Sequence, residues 1–233
     1  MLLILKKYIA LMRIEYVPVH SKKELEKSFF KKIEKFAQNK RVSLFSTIQY
    51  ELQAKMLAKK IKNLIYEGNV LGCRGKIPEH EIILYLGTGK FHPIGIKERN
   101  PNVKVFIANP ETNELRKLKE EEIKRIARMK AVMKDKIITE ARIIGVLVSI
   151  KPGQCNLSLA KKVEAYLNKL GKKHYRIIGN NLTPEILFDF RSQKNGKTFD
   201  AFVNTACPRI FEDYERFHVP IINATDLLEK KNE

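Results

Sequence analysis

Asp200-Ala201-Phe202-Val203-Asn204-Thr205-Ala206-Cys207-Pro208-Arg209 is an apolar run that ends on a cysteine and then a proline. Proline has no N–H to give a strand ladder, so the strand stops there. The thiol is thereby offered at the carboxyl end of a strand, where open α/β sheets place their ligands. Asn69-Val70-Leu71-Gly72-Cys73-Arg74-Gly75 repeats the setting in the first half of the chain. Two cysteines at comparable points of a two-part chain suggest a metal or redox site built at a domain junction.

Outward from these two points, apolar runs alternate with helical periodicity. Strands are predicted over residues 13–19, 42–47, 70–73, 81–86 and 103–108. Ser21-x-x-Glu24 reads as a capping box before a lysine-rich helix carrying Leu25, Phe29, Phe30, Ile33 and Phe36. Further helices are expected over 49–66 and 118–138, with a glycine-dense loop over 87–95. The second half restarts with a strand at 143–150, a turn at 151–154 and a helix at 157–170 closed by Gly171. A strand at 175–178, a short helix opening at Thr183-Pro184-Glu185, and strands at 199–206 and 220–222 complete it. This alternation predicts an α/β fold of two similar parallel-sheet domains with flanking helices. The expected division is an extension over 1–11, one domain over 12–141 and a second over 142–233.

The chain has 233 residues, a hydrophobic content of 44% and a formal net charge of +19. That charge favours an anionic partner such as RNA, a ribosome or an acidic protein. Solvated lysine-rich helix faces account for it equally well, because the lysines form no compact basic block. The three cysteines, at 73, 155 and 207, are odd in number and far apart, which argues against a disulfide framework. The apolar start lacks a cleavage site, and no run approaches the roughly 18 residues of a membrane span. A cytoplasmic protein with reduced thiols and no membrane partner is expected.

Thiolates suit iron–sulfur clusters and zinc. There is no Cys-x-x-Cys pair, and each cysteine also fits as a small buried hydrophobe. Cys155 precedes a helix, a position that stabilises thiolates, although an incidental surface cysteine is the preferred reading. Gly87-Thr88-Gly89-Lys90 could let an anionic or adenosyl ligand approach closely, but it is neither a P-loop nor a dinucleotide fingerprint. Lys151-Pro152-Gly153-Gln154 has the same standing, and either string can be a plain βα turn. His92 could hydrogen-bond a ligand, move a proton or simply shape a turn. No histidine pair has metal-ligand spacing, and no catalytic residue is assigned.

Four strings occur in order: residues 70–74, 84–95, 146–154 and 200–209. Together, over roughly 13–222, they resemble the 2-(3-amino-3-carboxypropyl)histidine synthase family, which performs the first step of diphthamide synthesis. The resemblance implies three similar α/β domains around a 4Fe–4S cluster, each domain giving one cysteine. It implies a fourth iron position left for S-adenosylmethionine, cleavage to a 3-amino-3-carboxypropyl radical, and addition of that radical to a histidine of translation elongation factor 2. Cys73 and Cys207 match the family's second and third cluster ligands. Gly87, Gly89 and His92, with Gly153 and Gln154, are the expected S-adenosylmethionine contacts. Arg74 and Arg209, each next to a ligand cysteine, could bond a carboxylate or a cluster sulfide, or be structural.

The family's first domain, with its cysteine motif, has no counterpart in this sequence, and Cys155 matches no ligand position. The expectation is therefore a part of a split S-adenosylmethionine-dependent 3-amino-3-carboxypropyl transferase. A separate polypeptide would bring the first domain and the third cluster cysteine, making an oligomer. The alternative is a non-catalytic accessory subunit or scaffold of the same pathway. A basic RNA-binding protein is a third reading, resting on charge alone.

Overall fold

The computed structural model describes residues 15–70, 78–188 and 198–229. The chain splits into two compact units, with the division between Ile123 and Lys124. Each unit is an α/β layer structure, as the alternation predicts.

In the first unit, α1 (Lys27–Ala37), β1 (Val42–Ser46), α2 (Glu51–Lys60), β2 (Leu64–Asn69), β3 (Ile82–Leu86), α3 (Phe91–Arg99), β4 (Lys104–Asn109) and β5 (Glu114–Lys117) follow in order. The sheet runs β2-β1-β3-β4-β5, parallel except for the last pair. Every residue of β1 is buried, the pattern of a strand covered on both faces. Phe29, Ile33 and Ala37 of α1 and Ala54 and Leu57 of α2 pack against Leu44, Leu84 and Leu86.

The second unit holds most of α4 (Glu120–Thr139), then β6 (Ile143–Ser149), α5 (Leu157–Lys169), β7 (Lys173–Gly179), α6 (Pro184–Phe188), β8 (Ala201–Asn204), β9 (Ile221–Asn223) and α7 (Ala224–Leu228). Its sheet is wholly parallel, in the order β7-β6-β8-β9. Strand β6 alternates between two cores. Ile144, Val146 and Val148 meet α5 and α7 on one face. Leu147 meets Phe202, Phe217 and Ile221 on the other. Helix α5 is well delimited. The Asn156 side chain accepts from Leu159 N at 3.0 Å. Gly171, at φ 65°, closes the helix with Gly171 N–H donating to Asn168 O and Lys172 N–H to Leu167 O, both at 3.0 Å. Among the described residues no helix is long and apolar enough to cross a membrane.

Several local expectations are corrected. Residues 15–26 form neither strand nor helix, and Ser21 Oγ accepts from Lys23 N rather than capping α1, which starts at Lys27. Helix α2 stops at Lys60, so the edge strand is β2 at Leu64–Asn69 instead of 70–73, of which 71–73 lie outside the described residues. The expected loop over 87–95 becomes α3 from Phe91, with Pro93 in its first turn, where a missing N–H is tolerated. Strand β5, helix α7 and the 3-10 segment Pro208–Phe217 were not anticipated.

Glu122 ties the start of α4 to the first unit. Its carboxylate pairs with Lys90 at 2.6 Å and with Arg116 at 2.9 Å, and accepts from Lys119 N at 3.1 Å. Burial opposes its charge, but the bonds from Lys90, Arg116 and Lys119 outweigh it and hold the carboxyl down at about 2 instead of 4.5. A depressed carboxylate stabilises the fold above its unfolded pKa and loses that contribution as pH falls through the folded value. The stability difference between wild type and Glu122→Gln, from urea unfolding, should be full above pH 4.5 and shrink toward pH 2. A difference independent of pH would contradict this assignment.

Gly145 lies under Phe202 and Ile177, and a Cβ there would sit 2.6 Å from Phe202 Cδ1 and 2.9 Å from Ile177 Cδ1. Gly145→Ala should destabilise the protein by about 1–3 kcal/mol through overpacking, seen as a lower urea midpoint. An unchanged midpoint would show that this face of β6 has spare room.

Candidate functional site

In the second unit the strand order reverses between β6 and β8, since β7 lies on one side of β6 and β8 on the other. Ligands of open α/β sheets bind at such a switch point, outside the carboxyl ends of the strands. Cys207 follows β8 there, at the lip of a cavity of about 200 Å³. The cavity is also lined by Ser149 at the end of β6, Lys151 and Gln154 in the turn after it, and Asn181 and Thr183 beyond β7.

The backbone carrying Cys207 is pinned from several directions. Asn204 is only 2% exposed. Its Nδ2 donates to Cys207 O and to Asn223 Oδ1, both at 2.8 Å, and its Oδ1 accepts from Ala206 N at 2.9 Å. Asn223 Nδ2 donates onward to Pro208 O at 3.3 Å. Thr205 Oγ1 donates to Leu147 O at 2.7 Å, tying the hook to β6. Ile210 N–H adds a second bond to Cys207 O at 3.1 Å. Asp200, at the start of the strand, accepts from Arg142 N and Ile143 N at 2.9 and 2.8 Å, which sets the register of β8 against β6. The Cys207 side chain itself remains half-buried and free of any disulfide.

The neighbouring turn is equally fixed. Ser149 Oγ accepts from Lys151 N at 3.1 Å, and Gln154 N donates to Lys151 O at 3.0 Å. Gly153 has φ 76°, a left-handed conformation that favours glycine. Cys155 is exposed and does not line the cavity. Arg209 pairs with Glu212 at 3.1 Å on the solvent side of the 3-10 segment, whose Phe211 and Phe217 are buried.

The first unit repeats the plan. Its order reverses between β1 and β3. Gly87, Gly89 and His92 follow β3 at that carboxyl edge. Gly87 lies under the Tyr85 ring: a Cβ there would stand 2.6 Å from Tyr85 Oη, which donates to Thr88 O at 3.0 Å, so a side chain would have to displace that phenol. The His92 ring lies against Phe91 and Tyr85, with centroids 5.3 and 5.9 Å away. Lys90 is engaged by Glu122.

Cys73 and Arg74 lie outside the described residues. The positions bracketing that stretch are tied to β1. Val70 N donates to Ser46 O at 2.8 Å, and His80 N donates to Ser43 Oγ at 3.2 Å. Asn69 Oδ1 accepts from Ser46 Oγ at 3.1 Å and from Tyr66 Oη at 2.9 Å.

The donor set permits a test of the implied cluster. Cys207 is an accessible thiol on a fixed backbone, beside polar side chains, and it fits as one ligand. No group of three metal-ligating side chains exists among the described residues. These residues therefore fit one corner of a cluster. Lys151 and Gln154 belong to the turn that the sequence singles out, whereas sequence reasoning missed Ser149, Asn181 and Thr183 on the cavity wall and Asn204, Thr205 and Asn223 beneath the hook. A buried asparagine at a strand end was the available signal for the last group.

Three comparisons bear on these units. The family model for the diphthamide synthesis protein matches residues 5–228. The 2-(3-amino-3-carboxypropyl)histidine synthase of Methanocaldococcus jannaschii is 33% identical over 184 residues, covering 78% of this chain and 49% of that protein. The protein of the same description from Pyrococcus horikoshii is 31% identical over 167 residues, covering 70% and 45%. The chain thus spans about half the length of the curated relatives it matches. The crystal structure of Dph2 from Pyrococcus horikoshii with a 4Fe-4S cluster superposes with a TM-score of 0.73 at 25% identity, over 92% of this chain and 66% of that one. Two parallel-sheet units, the ordered strings within them and a family match over nearly the whole sequence converge: the chain belongs to the diphthamide synthesis protein family.

Proposed function

We propose that this chain supplies the second and third domains of a 3-amino-3-carboxypropyl transferase that modifies a histidine of translation elongation factor 2 in diphthamide synthesis. The observation that carries the reading is Cys207, held by Asn204 and Thr205 at the switch point of a family-matched unit. Cys207 and Cys73 serve as two cluster ligands, and the family's first domain supplies the third. The assembly works in the cytoplasm, where thiols stay reduced.

When bound, a reduced 4Fe–4S cluster supplies the electron that cleaves the sulfonium–aminocarboxypropyl bond of S-adenosylmethionine. The chain's own residues bind and orient. Gly153 and Gln154, with Gly87, Gly89 and His92, contact S-adenosylmethionine. Lys151, on the wall of the Cys207 cavity, offers a cation for the substrate carboxylate. Asn204 is a positioning residue, since it acts on the thiol through the Cys207 backbone.

The test is anaerobic co-expression with a polypeptide carrying the family's first domain, followed by iron and sulfide analysis, electron paramagnetic resonance and turnover. The complex should form 5′-methylthioadenosine and modify elongation factor 2. Cys73→Ser and Cys207→Ser should each lose the cluster signal and reduce turnover at least 100-fold, because a serine hydroxyl is a harder and far less acidic donor. Cys155→Ser should retain both. A full signal and full turnover from Cys207→Ser would refute the ligand assignment. Wild-type modification of elongation factor 2 by the partner without this chain would leave only the accessory role.

A further inference from the structure

Between Lys22 and Lys62, twelve lysines and arginines stand against four acidic residues. In sequence they are dispersed, but the fold gathers half of them. Helices α1 and α2 pack side by side on one face of the first sheet, through Phe29, Ile33, Ala37, Ala54 and Leu57. Lys27, Lys31 and Lys35 recur at four-residue spacing on the exposed side of α1. Asn63 then ties the two helix ends together, its Nδ2 donating to Ala37 O and Gln38 O at 3.2 and 2.7 Å. This brings Lys31, Lys35, Arg41, Lys59, Lys60 and Lys62, all exposed, to one region around the amino ends of β1 and β2. The glycines and His92 follow β3 at the opposite, carboxyl edge.

These charges are left unneutralised. None of the six forms an ion pair among the described residues, and Glu34 is the one carboxylate exposed beside them on α1. On the other flank of α1, by contrast, Lys23 is held by Glu111 and Lys32 by Asn113 O. Helix dipoles favour Lys35, Lys59 and Lys60 in their last turns, but not Lys31, Arg41 or Lys62. The face also lacks what a protein interface needs. Among the described residues α1, and α2 beyond Leu52, carry no exposed large apolar side chain. Interfaces between proteins are depleted in lysine and built on an apolar centre, whereas those with nucleic acid are polar and strongly positive. The nearby rings are not offered for base stacking. Phe30 and Phe36 are half-buried, with Lys60 Nζ 5.8 Å and Lys40 Nζ 4.1 Å from their centroids.

We propose that this α1–α2 face binds the sugar–phosphate backbone of duplex RNA, without reading its sequence. Lysine acts on phosphate as a mobile point charge, which suits contacts that position without specifying. Two adjacent helices, each buried on one side, present a broad surface about 16 Å long that cannot enter the major groove of B-form DNA. Such a surface can lie across the wide, shallow minor groove of an A-form duplex and meet the phosphates on either side.

The experiment titrates the full chain into two fluorescent 20-base-pair RNA duplexes of unrelated sequence, and into the matching DNA duplexes, from 50 to 200 mM salt. Both RNAs should bind equally, with dissociation constants on the order of 10 μM near 100 mM salt and affinity falling steeply as salt rises. The triple variant Lys31→Gln, Lys35→Gln, Lys60→Gln should bind at least tenfold more weakly and flatten the salt slope by about 2–3, with an unchanged unfolding midpoint. Removing three charges from the second unit, by Lys161→Gln, Lys162→Gln and Lys169→Gln, should change affinity less than twofold. In the wild type, duplex RNA should protect Lys31, Lys35, Lys59 and Lys60 from acetylation by an amine-reactive ester, a readout independent of any variant's folding. Equal losses from the two triple variants would reduce the effect to net charge and overturn the proposal. DNA binding as tight as RNA, unprotected lysines, or no RNA binding at 100 mM salt would each overturn it. So would a first triple variant that keeps RNA affinity but loses binding to elongation factor 2, since the face would then be a protein interface.

Discussion

The side-chain amide of Asn204 is the constraint on which the site depends. A buried amide must satisfy two donors and an acceptor, and Asn204 spends all of them locally. One bond holds Cys207 O, one holds Asn223, and the acceptor holds Ala206 N. The chain therefore turns sharply after β8 in one defined way. Leaving such a buried group unpaired costs about 1–3 kcal/mol, so alternative hooks are disfavoured. The consequence is a thiol presented from a rigid strand end instead of a loose loop. Thr205 fastens the same hook to β6, the strand on the other side of the switch point.

Both units solve the same problem with different polar groups. In the second, amides and a threonine hydroxyl lock the carboxyl end of β8. In the first, Ser46, Tyr66 and Asn69 form a comparable group where β1 and β2 end. Burial pushes the Tyr66 phenol above its usual range, so it remains a neutral donor to Asn69. In each case parallel strands buried on both faces leave their polar chemistry to the carboxyl ends. Ligand-binding residues then accumulate at those ends for reasons of packing as well as function.

The fold was largely legible because β1, β3, β4 and β6 are short apolar runs of parallel-sheet type. The errors have physical causes. Leu64, Ile65 and Tyr66 continue an amphipathic pattern, so the helix reading ran past Lys60 into β2. Pro93 and Gly95 disguised α3, although a proline in the first turn costs no hydrogen bond. Strand β5, Glu-Leu-Arg-Lys, has no β-rich composition and exists because β4 offers it an antiparallel edge. Residues 16–19 show the reverse case, strand composition that pairs with neither sheet among the described residues. At the site, Cys207 and the Lys-Pro-Gly-Gln turn stood out as residue types at strand ends. The partnerships of Asn204 with Asn223 and of Thr205 with Leu147 span long stretches of sequence and leave no local pattern.

The central claim is that the Cys207 sulfur is bonded to iron in the assembled complex. Electron–nuclear double resonance on the reduced complex tests it most directly, with β-13C cysteine incorporated only into this chain and Cys155 replaced by serine. The account predicts strong 13C couplings from two labelled cysteines, one of which disappears when Cys207 alone is left unlabelled by semisynthesis. Couplings no larger than those of distant, non-bonded carbons would place the cluster elsewhere and contradict the account.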